Sequence, residues 1–148
     1  MKIVMLALFL VACLPLIAVL PRPKLLKTEA GMAGPVSFVF SSLVTTGSTY
    51  LPLDGWQYEF APFSGAVELI IRSTLVSATV QLTAGGDTIQ ESSPIQAGGT
   101  AGVTPSALNT PVVVGRVKKG DRLKVRVFNG NAGSVTIDGI VTLVPGGR

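Results

Sequence analysis

Between Val36 and Val144 the chain is a succession of short runs of β-branched and aromatic residues, each cut by Gly, Pro, Asn or Asp. No window of a dozen residues after Thr28 has a helical apolar period flanked by caps, so the regular element these runs favour is the strand. The pattern predicts strands over Val36–Val44, Gly55–Ala61, Ala66–Thr74, Ser77–Ala84, Thr88–Ser92, Val112–Val117, Arg122–Phe128 and Ser134–Val144. Alternation assigns faces within them. Leu123, Val125 and Val127 share one side of their strand, and Arg122, Lys124 and Arg126 share the other. In the final strand Val135, Ile137 and Ile140 are expected to face inward, with Gly139 forming a bulge that resets the register. Val67-Glu68-Leu69-Ile70-Ile71 is apolar with one interruption, as a strand covered on most sides would be. Eight short strands with regular turn signals predict an all-β fold, a single two-sheet antiparallel β-sandwich of jelly-roll type over residues 36–148.

The N-terminus is of another kind. Ile3 to Leu20 carries no charge, and as a helix it would span roughly 27 Å, enough for a hydrocarbon core. The basic collar Arg22, Lys24 and Lys27 follows it. Three readings are open. A transmembrane helix fits the length and the collar. A lipoprotein signal fits Leu10-Val11-Ala12-Cys13, although the residues after Cys13 stay apolar. A cleaved secretory signal fits less well, because no A-x-A site precedes the collar. Residues 1–27 are therefore read as a membrane segment and 28–35 as a flexible tether. The positive-inside tendency favours the β domain on the cytoplasmic side of the membrane.

Charge and composition remove many functions. The net charge is +4, yet Lys2, Arg22, Lys24 and Lys27 account for all of it; beyond Thr28 eight cations face eight acids. Basicity thus belongs to the membrane boundary and argues for no specific nucleic acid. The chain has no histidine and a single cysteine, Cys13, which excludes disulfide frameworks, His triads and cysteine zinc sites. There is no Gly-x-Ser-x-Gly, Walker or EF-hand pattern. The sequence gives no reason to expect an enzyme, a metal or a cofactor. Asp87 and Glu91 suit turns and surface better than a glycosidase pair.

Two segments are candidates for binding. Arg116 to Arg126 holds Arg116, Lys118, Lys119, Arg122, Lys124 and Arg126 against Asp121, while Glu29 to Gly115 holds six acids against Arg72. Kept apart by the fold, the basic group would attract anionic headgroups or an acidic protein surface; otherwise it is the wet face of an edge strand. The other candidate is Leu53 to Phe60. Its alternating Trp56, Tyr58 and Phe60 suit a core, a protein interface or a sugar-stacking platform. Two loops complete the reading: the long, charge-poor stretch from Gln96 to Thr110, and Asn129-Gly130, a hairpin signal.

The segments Glu91-Ser92-Ser93-Pro94-Ile95-Gln96-Ala97-Gly98-Gly99-Thr100-Ala101-Gly102-Val103, Gly120-Asp121-Arg122-Leu123-Lys124-Val125 and Phe128-Asn129-Gly130-Asn131-Ala132-Gly133 resemble β-sandwich structural proteins of bacteriophage virions. The resemblance covers the C-terminal third to half of the chain. It implies a minor capsid or decoration protein that works by shape and interface. An apolar N-terminal segment is what a phage with an internal lipid membrane would need. The expectation is a membrane-associated virion component and homo-oligomer, linking the membrane to other capsid proteins or forming part of the shell. The alternative is a bacterial envelope lipoprotein or anchored module that binds carbohydrate or protein.

Overall fold

The structure, a computed structural model, describes residues 34–146. The apolar segment 3–20, its collar and the tether up to residue 33 lie outside the described residues. Nine strands follow: β1 (Val36–Val44), β2 (Thr49–Tyr50), β3 (Gly65–Ser73), β4 (Ala78–Ala84), β5 (Asp87–Pro94), β6 (Gln96–Ala97), β7 (Val112–Val117), β8 (Leu123–Asn129) and β9 (Val135–Pro145). Among the described residues there is no helix, and so none long and apolar enough to cross a membrane. The domain is all-β and has two sheets.

The first sheet runs β1-β9-β3, with β7 and the short β6 both on the far edge of β3. The second runs β2-β8-β4-β5. All pairings are antiparallel except β3 with β6. Only β4 and β5 are joined as a hairpin within one sheet; apart from β6 and β7, which both lie against β3, the chain otherwise passes between sheets at successive strands.

The core lies between the sheets. Alternate residues supply it: Val67, Leu69 and Ile71 from β3, Val80 and Leu82 from β4, Leu123, Val125 and Val127 from β8, Val135, Ile137, Val141 and Leu143 from β9. Period two therefore predicted the inward face of β8 and, up to Ile137, of β9. β3 is central, with β9 on one side and β7 on the other; its inward Val67, Leu69 and Ile71 are buried, and its outward Ala66, Glu68, Ile70 and Arg72 are half-buried.

Several expectations fail, each for a local reason. Gly55–Ala61 is not a strand. Three successive turns, closed by Asp54 N–H to Leu51 O, Trp56 N–H to Leu53 O and Glu59 N–H to Trp56 O, fold it into a compact meander, with Gly55 at φ +80°. Only Phe60 makes a bridge, to Arg122. Ser77 has φ +65°, so β4 begins at Ala78. Gly139 makes no bulge: β1 and β9 stay in register from Val36↔Leu143 to Val44↔Val135. Ile140 accordingly faces outward, and Val141 and Leu143 point in. Asn129-Gly130 is not a hairpin, because β8 and β9 belong to different sheets.

The long 98–110 connection packs on its own domain. Gly99 N–H donates to Ser73 O at 3.0 Å, and Gly102 N–H reaches the two Asp138 carboxylate oxygens at 3.1 and 3.2 Å. Asp138 points away from the core, but this strap leaves it only 3% exposed. The strap thus covers part of the outer face of the first sheet.

Candidate functional site

The basic segment does not form one patch. Arg116 lies on β7, on the outer face of the first sheet, whereas Lys124 and Arg126 lie on β8, on the outer face of the second. Lys118 and Lys119 sit in the turn between these strands. That turn is closed by Asp121 N–H to Lys118 O at 3.0 Å, and the Asp121 carboxylate accepts the Lys118 N–H at 2.8 Å. Arg122 is already engaged. Its Nε donates to Glu59 Oε1, and its Nη2 lies 3.7 Å from Asp54 Oδ1. Two of the upstream acids, Asp54 and Glu59, therefore fold onto the start of the basic strand and engage Arg122.

This cluster has a measurable consequence. The Glu59 carboxyl is held below its ordinary value of 4.5, first by the Arg122 hydrogen bond and next by the Gly55 N–H; the charges of Arg122 and Lys124 act the same way. A lowered carboxyl favours the ionised native state. Its stabilising contribution is full above pH 4.5 and is lost as pH falls through the lowered value. Trp56 is the only tryptophan and belongs to the same meander, so its emission reports on this change. We expect an acid shift in Trp56 fluorescence, and Glu59→Gln to show the acid-form spectrum already at pH 7. An acid shift that persists unchanged in Glu59→Gln would assign it elsewhere.

The aromatics divide as well. Trp56 packs 5.2 Å from the Phe38 ring and edge-on to Tyr58 at 5.5 Å, and both residues are half-buried against the core. Phe60 alone is turned out, at 57% exposure. Trp56 and Tyr58 close one end of the core; they do not make an open stacking platform with Phe60.

What remains is a groove on the outer face of the second sheet. Thr49, Leu51, Gln81, Thr83, Lys124 and Arg126 line a shallow, open space of about 470 Å³. Strand pairing builds it: Thr83 stands opposite Lys124, and Gln81 opposite Arg126. Neither cation has a carboxylate partner within ion-pair distance among the described residues. Two cations beside hydroxyl and amide groups can hold an anionic group that also accepts hydrogen bonds. Lys124 and Arg126 were legible in the sequence. Gln81 and Thr83 were missed, although the alternation of Ala-Thr-Val-Gln-Leu-Thr-Ala already put Thr79, Gln81 and Thr83 on one polar face. Thr49 and Leu51 gave no such signal, because β2 is only two residues long.

Among the described residues no group of three or more His, Cys, Asp or Glu side chains could hold a metal ion. No family model matches the chain, and the search of curated proteins finds no match.

Proposed function

We propose that this chain is a structural component of a virion, a minor capsid protein held at an internal membrane by residues 3–20 and joined to the protein shell through its β domain. The observation that carries the reading is the strand order, β1-β9-β3-β7 facing β2-β8-β4-β5. Strands alternate between two sheets in the manner of a jelly roll, an architecture used by viral capsid proteins and also by lectins and cupins. The uncharged run from Ile3 to Leu20 supports a membrane location. No catalytic step is part of this reading.

The test is fractionation of purified virus particles from a culture that produces the chain. The protein should co-purify with particles, remain with the lipid after the shell is dissociated, and leave it only with detergent. Absence from particles, or release by salt alone, overturns the proposal.

The groove favours a second reading, an envelope module that binds a charged glycan or protein. Either way Lys124 and Arg126 would meet an anionic partner, at about 1 kcal/mol for each cation near an anionic surface. Joint reversal, Lys124→Glu with Arg126→Glu, should reduce binding of the detergent-solubilised chain to phosphocellulose at low salt by about tenfold or more. Both side chains are exposed, so the unfolding midpoint should hardly move. Unchanged retention at low salt removes the groove from the function. Arg122 is left out of this variant because reversing it would set it against Glu59 and Asp54.

A further inference from the structure

A two-sheet domain has strand edges whose N–H and C=O groups are unpaired, and proteins guard such edges. Three of the edges here are guarded. β2 is two residues long. β5 carries register shifts, Asp87, Glu91 and the terminal Pro94. On the far edge of β3 the pairing is split between β7 and the two-residue β6; β7 bears Arg116, and its Gly115 is covered by Ile89.

β1 is different. It is nine residues long, holds no charge and no proline, and keeps an unbroken register with β9 on its one paired side. No other strand among the described residues pairs with its second side. Its outward residues Val39 and Leu43 are 53% and 65% exposed. The outward series reads Ser37, Val39, Ser41, Leu43 and, just past the strand, Thr45: polar, apolar, polar, apolar, polar. The series is symmetric about Ser41.

We propose that β1 pairs edge to edge and antiparallel with β1 of a second copy, about a two-fold axis at Ser41. A two-fold contact requires a surface complementary to itself. The register centred on Ser41 meets that requirement. Val39 falls opposite Leu43 of the second copy on both sides of the axis, and Ser41 faces Ser41. On the inward side Phe40 meets Ser42 and Phe38 meets Val44. Centring on Phe40 or Ser42 would instead set the exposed Val39 and Leu43 each against a hydroxyl. With no charge on the strand, self-pairing brings no like charges together. The pairing joins the first sheets of two copies into one continuous sheet. It rests on β1 alone and stands whether or not the chain belongs to a virion.

The test uses the full chain in detergent with Cys13→Ser, which removes the only native thiol. In this background Ser41→Cys puts two thiols directly opposite across the axis, within the Cα separation a disulfide accepts, about 4.4–6.8 Å. Ser37→Cys is the control: in the same register its two copies lie eight residues apart along the pair, roughly 26 Å. Mild oxidation should link Ser41→Cys into dimers about tenfold or more faster than Ser37→Cys. Adding Val39→Lys, at an exposed position, should abolish the cross-link and leave the circular dichroism spectrum unchanged. Equal rates for the two cysteine variants overturn the proposal, as does efficient linkage that survives Val39→Lys. Shielding of β1 by another segment of its own chain would appear as failure of Ser41→Cys to link at all, and that also overturns it.

Discussion

Replacing Asn129 by aspartate should cost about 3–5 kcal/mol at neutral pH, a large share of the roughly 5–15 kcal/mol that holds a domain of this size together. Asn129 is completely buried at the end of β8. Its Nδ2 donates to Val44 O and to Gly133 O, each at 2.9 Å, and its Oδ1 accepts from Asn131 N–H at 2.9 Å. Its backbone accepts from Gly47 N–H and donates to Ser48 O. One amide thus ties the end of β1 and the crossing from β8 to β9. Aspartate keeps the shape but removes the two donors and turns carboxylate oxygen towards two carbonyls. Its folded-state pKa would rise, so the variant should regain stability as pH falls below that raised value. Urea midpoints at pH 7 and pH 4 check both the size and the sign. A variant as stable as the parent at pH 7 would show that the amide does not hold these loops.

The second large effect lies at Gly139. This residue is the register partner of Phe40, whose ring lies over its backbone. A Cβ there would sit 2.8 Å from Phe40 Cε1 and Cε2 and closer still to Cζ, where a real contact would need over 3 Å. The neighbours of Phe40 limit its escape: Tyr50 is edge-on at 6.3 Å, and Phe38 stacks beside it. Gly139→Val should therefore cost about 3 kcal/mol, near the top of the usual range for overpacking. Phe40→Ala alone should cost about 3–5 kcal/mol through the cavity it leaves. The double variant should cost less than the sum, because the valine fills part of that cavity; a coupling of about 1–3 kcal/mol is expected from denaturation midpoints. Strict additivity would mean that the ring is not the obstacle.

These two residues mark the limit of what the sequence disclosed. Alternation and turn signals gave the longer strands, and the inward face of β8, because a residue's side of a sheet depends only on its parity along the strand. Gly139 was read as a bulge because glycine serves bulges and close packing alike, and only the partner strand distinguishes them. The partner is Phe40, about a hundred residues away in the chain, and nothing local records the pairing. Asn129-Gly130 failed similarly: a strong hairpin signal sits where the chain changes sheets, and the asparagine works through its side chain. In the candidate site, Lys124 and Arg126 followed from period two. The engagement of Arg122 by Glu59 and Asp54 did not, since it depends on how the meander 51–61 folds against the 120–123 turn. Trp56, Tyr58 and Phe60 misled because alternation was read as a strand where turns of the backbone set the side-chain directions.

The pairing of β1 with β9 also fixes a timetable. Ser37 and Thr142, whose side chains meet across that pair, are separated by 105 residues. At synthesis rates of about 5–20 residues per second, β1 leaves the ribosome roughly 5 to 20 seconds before its partner does. During that interval both of its edges are open, and the first sheet cannot close because β9 occupies its middle. Adjacent ribosomes on one messenger display the same symmetric strand in the same state. The proposed β1 pairing between copies would then compete with closure of each domain.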